Sequence, residues 1–103
     1  MTLWAKRTDG NHADIRQAMR DAGADVEDMS GAGRGFPDTV VRTRDDRVLL
    51  VEIKTPTGKL TPAQVKFHQR FPVHIVRTVE EAVELVTDPD HDSHDETTYN
   101  ELP

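Results

Sequence analysis

Asp38, Glu52 and Lys54 are the residues whose types and spacing suggest chemistry. They fall in PDTVVRTRDDRVLLVEIK, residues 37–54. The second half, VLLVEIK, has the apolar character of a buried strand, yet it ends in a carboxylate and an ammonium two residues apart. Alternation along a strand puts Val48, Leu50, Glu52 and Lys54 on one face and Leu49, Val51 and Ile53 on the other. Both faces are apolar early in the strand, which predicts cover on both sides. One face turns polar only at the end, where Glu52 and Lys54 are separated by roughly 6–7 Å, room for a phosphate or a metal ion. Seen alone, Glu-x-Lys at a strand end more often marks a solvated edge or a surface ion pair.

Asp38 supplies a test. A two-residue turn at Asp45–Asp46 would set Asp38 opposite Ile53, on the wrong face. A three-residue loop, Arg44–Asp46, pairs Thr43 with Arg47 and Asp38 with Glu52. Both carboxylates then point the same way, with Cβ atoms about 5 Å apart. Like charges that close are unfavourable unless a cation or a proton lies between them. The expected register is the one that brings them together.

The elements that must position these residues follow from periodicity and punctuation. Ile15, Ala18, Met19 and Ala22 make one helical stripe over Asn11–Ala22, with Asp9 or Asn11 as cap and Gly23 as C-cap. Asp25–Met29 reads as a short strand and SGAGRG, residues 30–35, as a glycine-rich loop. Strands are expected over Asp38–Thr43 and Arg47–Lys54, then a loop, TPTGK. Thr61, Pro62 and Gln64 form a capping-box pattern that opens a helix ending near Phe71. Val73–Arg77 is a strand, and Thr78 with Glu81 opens a last helix carrying Val79, Ala82, Val83 and Val86. The order is αβββαβα. An antiparallel meander followed by a strand–helix–strand crossover gives a mixed β-sheet flanked by helices, an α/β fold.

The chain has 103 residues, a net charge of −6 and no cysteine. That length suits one small domain. The absence of cysteine excludes a disulfide scaffold and thiolate metal sites. No apolar run spans a bilayer and the N-terminus lacks a signal-peptide core, so a cytoplasmic location and no membrane partner are expected. Residues 88–103 hold acidic side chains and no Lys or Arg, and they carry the whole net charge. They read as a disordered tail. Residues 1–87, the expected folded domain, are neutral overall. His91 and His94 lie in the tail, and His12, His68 and His74 are not spaced as one local metal motif.

Pro37–Asp38 followed by Glu52–Ile53–Lys54 resembles the PD-(D/E)xK nuclease signature. The wider series GFPDTVV, LLVEIKTPTGKLTPAQVKFH and VHIVRTVEEAVELV resembles the VRR-NUC (virus-type replication-repair nuclease) group. RTDGNHADIRQAMRDAGADV is similar to the first helix of small stand-alone, phage-type members. The resemblance covers about residues 6–87. It implies a restriction-endonuclease-like core and a metal-dependent endodeoxyribonuclease. Asp38, Glu52 and the Ile53 carbonyl would hold Mg²⁺ or Mn²⁺, with one or two ions left open. Lys54 would assist the attacking water. Gln64 would sit beside the lysine, or only cap its helix. Relatives often place an acidic residue on the first helix to support the metal; here Asn11 and Asp14 are the candidates. Stand-alone relatives are expected to be homodimers acting on branched DNA such as four-way (Holliday) junctions, in phage replication, recombination or repair.

Lys6, Arg7, Asn11, Arg34, Lys59 and Lys66 are the candidate DNA contacts, each of them also an ordinary surface residue when taken singly. The glycine-rich loop is a plain connector or a DNA-facing one. The alternative function is a catalytically silent module that binds DNA or a replication protein on a nuclease-like fold. A third is a structural domain whose Glu52–Lys54 pair is only an edge ion pair.

Overall fold

The computed structural model describes residues 3–89, with side chains from residue 11 onward. The expectations for residues 90–103, including the tail histidines, lie outside the described residues.

Helix α1 spans Leu3–Asp21 and buries Ile15 and Met19. It begins eight residues earlier than the stripe suggests, so neither Asp9 nor Asn11 is its cap. Asp-Gly-Asn looks like a break, but each residue weakens a helix by only about 1 kcal/mol or less, which a helix anchored downstream can absorb. Its end is as expected. Gly23 takes φ 97°, its N–H donates to the Arg20 carbonyl at 2.9 Å, and the Ala24 N–H reaches the Met19 carbonyl at 3.0 Å. This is a Schellman closure, which needs a residue free to turn left-handed.

Strand β1 spans Asp25–Asp28, β2 Thr39–Arg42 and β3 Val48–Ile53. β2 and β3 pair antiparallel, Thr39 against Val51 through Arg42 against Val48. The loop between them has three residues. The Thr43 N–H donates to the Arg47 carbonyl at 2.8 Å, and the Asp46 N–H turns back to the Thr43 carbonyl at 3.0 Å. Asp46 takes the left-handed conformation, φ 67°, that closes such a loop. The Thr43 hydroxyl donates to Asp45, and Arg47 also holds the Asp45 carboxylate at 3.0 Å. Carried outward, this register sets Asp38 across from Glu52.

Helix α2, Pro62–Arg70, joins β3 to the parallel strand β4, Val73–Val76. Helix α3 spans Val79–Thr87. The sheet order is β1-β2-β3-β4. One core holds Ile15 and Met19 of α1, Ala82, Leu85 and Val86 of α3, and Val26, Val41, Val51, Ile53 and Val76 of the sheet. The other sheet face differs from expectation. Val48 there is 68% exposed and Val40 and Leu50 are half-buried. Further along, this face is covered: His68 of α2 and Val73, the β4 partner of Leu50, are fully buried, and Gln64 of α2 meets Glu52. Among the described residues, the start of β3 is therefore open on this face at Val48, while its end is covered.

Both later helices are capped by threonine. The Thr61 and Gln64 box is complete, each side chain bonded to the other's backbone N–H. At α3 the Thr78 hydroxyl accepts from the Glu81 N–H, but the Glu81 carboxylate accepts from Arg77, one residue further back.

Gly35 joins the glycine-rich loop to the start of α2. It has φ 81°, and a Cβ there would lie 2.3 Å from the Ala63 carbonyl oxygen. Gly33 has φ 74° with nothing within 4 Å of such a Cβ. Gly33→Ala should cost about 1–2 kcal/mol from backbone strain alone, and Gly35→Ala about 2–4 kcal/mol because the clash adds to it. Urea unfolding of the two variants measures the difference; equal losses would mean that the loop does not press on α2.

Candidate active site

The site forms where β2 begins and β3 ends. Asp38 precedes β2 and is 9% exposed; Glu52 is 3% exposed. The backbone ties them together. The Asp38 N–H donates to Glu52 Oε1 at 3.3 Å, and the Ile53 N–H donates to the Asp38 carboxylate at 3.2 Å and 3.4 Å. The Thr39 hydroxyl donates to Asp38 Oδ1 at 2.9 Å and itself accepts from Arg16 Nε at 3.0 Å.

Arg16 is a buried guanidinium in α1, and it fixes this corner. Its Nη2 donates to the Asp38 carbonyl at 3.1 Å and lies 3.5 Å from Asp28 Oδ1 and 3.9 Å from Asp38 Oδ1. The Asp38 carbonyl accepts a second bond from the Met29 N–H at 2.7 Å. Asp28 is held below the usual carboxylate range, first by its hydrogen bonds from Ser30.

Glu52 Oε2 accepts from Gln64 Nε2 at 3.0 Å and lies 3.7 Å from Lys54 Nζ. Gln64 Oε1 caps α2 while its amide nitrogen holds Glu52. Burial, and then the charge of Asp38, push the Glu52 carboxyl up to about 7 against the opposing pull of Lys54. His68, buried one turn further along α2, is driven down to about 4 by burial and then by the charge of Lys54. It therefore remains a neutral imidazole near neutral pH.

Asp38, Glu52, Ile53, Lys54 and Gln64 line a single open cleft of about 480 Å³, with Ser30, Gly33, Gly35 and Phe36 from the glycine-rich loop on its wall. Arg34 is exposed outside the lining, in a left-handed conformation with φ 60°. Lys59 and Lys66 are exposed and do not line the cleft, and neither does Asp14. Lys6 and Arg7 lie in the early turns of α1, where side chains are not described. Asn11 turns inward, its Nδ2 donating to the Lys54 carbonyl at 3.0 Å.

Two residues at the site are absent from the sequence-based set. His12 lines the cleft, with Nε2 3.3 Å from Asp38 Oδ2, and Arg16 lies one turn along the same helix. Their spacing of four is visible in the sequence, and Arg16 is a charge set beside the buried Ile15. What the sequence does not reveal is that this side of α1 docks on the start of β2.

Among the described residues, no three His, Asp or Glu side chains converge tightly enough to be a metal cluster on their own. The arrangement present is of another kind, two facing carboxylates with a strand backbone between them. Its chemistry fits a hard divalent cation: oxygen donors, and a carboxyl whose ionisation is opposed by its neighbour's negative charge.

The comparisons with known proteins agree with the fold. The family model of the VRR-NUC domain matches residues 4–84. A solved structure described as a VRR_NUC domain is similar at TM-score 0.63 and 24% identity, covering 78% of this chain and 94% of that one. No curated protein matches.

Glu52 also sets a pH dependence. Its folded value, about 7, lies above the ordinary 4.5. The metal-free protein therefore loses stability as pH rises through that window, because the folded state must give up a proton it holds more tightly than the unfolded chain does. Glu52→Gln should be more stable than wild type by about 1–3 kcal/mol at pH 8 in chelator, with the advantage gone near pH 4.5. Thermal unfolding across that range checks this; a constant difference would mean that Glu52 ionises freely.

Proposed function

The chain belongs to the VRR-NUC family, and on that premise we propose that it is a divalent-metal-dependent DNA endonuclease hydrolysing phosphodiester bonds. The observation that carries the reading is the convergence of Asp38, Glu52 and Lys54 on one cleft. In this reading Asp38, Glu52 and the Ile53 carbonyl hold Mg²⁺ or Mn²⁺. A cation held there would supply Lewis-acid chemistry, a water of lowered pKa and a polarised phosphate. Lys54 directs a proton of its ammonium toward the attacking water and offsets charge that builds on the phosphate. Gln64 keeps the Glu52 carboxylate turned into the cleft. Asn11 supports the end of β3 through the Lys54 carbonyl.

Arg34, Lys59 and Lys66, with Lys6 and Arg7, are the proposed phosphate contacts. Arg34 has the strongest support. A non-glycine residue at φ 60° costs about 1–2 kcal/mol, and this one stands between two glycines that line the cleft. Arg34→Gly should raise stability by about 1 kcal/mol while weakening DNA binding and its salt dependence.

We further propose a homodimer acting on branched DNA, since two copies present two cleavage sites to two strands. The open sheet face with exposed Val48 is the surface a second copy would cover. The phage role rests on the likeness to stand-alone members. No helix among the described residues is long and apolar enough to cross a membrane.

Cleavage of linear, flap and four-way-junction DNA with Mg²⁺ or Mn²⁺ at low salt tests the whole reading. Wild type should cut branched DNA in preference, and Lys54→Ala should lose at least about 100-fold in rate, in line with loss of a transition-state donor. Tight DNA binding with no cleavage by either protein would favour the silent binding module instead.

A further inference from the structure

We propose that His12 Nε2 is a nitrogen ligand of the cation held at Asp38 and Glu52, and that it tilts the site toward Mn²⁺ over Mg²⁺. This rests on the metal-dependent reading above and goes beyond its all-oxygen ligand set.

The argument begins at Asn11. Its Nδ2 donates to the Lys54 carbonyl at 3.0 Å, which fixes the amide and leaves Oδ1 as an acceptor facing His12 Nδ1 at 3.2 Å. An acceptor there requires the proton of the imidazole on Nδ1. Nε2 is then the ring nitrogen turned to Asp38, 3.3 Å from its Oδ2. A metal-binding histidine commonly has this layout, with one ring nitrogen anchored to a hydrogen-bond acceptor and the other directed at the ion.

The spacing also suits coordination. Adjacent ligands of an octahedral ion at about 2.1 Å from each are about 3 Å apart. His12 and Asp38 therefore need little movement to share one. His12 lines the same cleft as Glu52 and Ile53, so the direction of approach is common to all. Asn11 and His12 are consecutive, so one turn of α1 grips the end of β3 and faces the start of β2. Imidazole suits later and softer divalent ions, whereas Mg²⁺ prefers oxygen and retains its waters.

Pulsed electron paramagnetic resonance of the Mn²⁺-loaded full-length protein tests this. Wild type should show ¹⁴N coupling to Mn²⁺, and both His12→Ala and His12→Gln should lose it. By titration calorimetry, His12→Ala should weaken Mn²⁺ about tenfold and Mg²⁺ less than about threefold. His12→Glu should recover Mg²⁺ binding without the nitrogen coupling. Asp38→Ala separates this inference from the reading beneath it. If Mn²⁺ binding depends on Asp38 but no ¹⁴N coupling is seen, the metal site stands and the His12 assignment falls. If coupling persists in either His12 variant, another histidine supplies it and the assignment is overturned. If Mn²⁺ binding is indifferent to Asp38, the metal site itself is wrong.

Discussion

The rest of the site is arranged around two buried carboxylates that the hairpin register holds face to face. Asp38 and Glu52 repel each other, and burial removes the water that would screen them. The fold meets this with donors: the N–H groups of Asp38 and Ile53, the Thr39 hydroxyl, Gln64 and Lys54 each direct a proton or positive charge at one of the pair. Two of these are backbone groups, set in place by the course of the strands. A shift of one residue in the Arg44–Asp46 loop would send Asp38 to the opposite face and dissolve the arrangement.

The two sheet faces divide the work. α1 and α3 pack one face into the main core, which makes the hairpin rigid. At the polar end of the other face, Gln64 of α2 meets Glu52, and the cleft forms beside them. Gln64 joins the two functions in one side chain. Its oxygen closes the capping box that starts α2, so the amide that holds Glu52 cannot swing away without uncapping the helix. An isolated surface glutamine would lose most of that orientation to side-chain entropy.

How far this was legible depends on whether the determining interaction was local. The register could be derived because the loop length and the apolar alternation are contained in residues 38–54, and the capping boxes because they span four. The role of α1 could not. Asp9-Gly10-Asn11 imitates a helix start, which hid that Asn11 and His12 lie well inside a helix. Arg16 reads as a surface charge until α1 is docked, whereupon it bonds to Asp38 and Thr39, more than 20 residues away in sequence. Val48, expected to be covered, is exposed among the described residues. Apolar alternation reports what a strand needs covered, and it does not say whether the cover comes from the same chain.

The charge balance bears on how a polyanion enters. Residues 1–87 are neutral overall, and the cleft holds two carboxylates against one lysine. Under the nuclease reading, the cleft is unfavourable to phosphate until a divalent cation reverses its local sign. Partial protonation of Glu52 near pH 7 offsets some of that repulsion, and a cation that binds there displaces the proton. Metal first and DNA second is then the order that the electrostatics favour, because each occupant removes the repulsion that opposes the next.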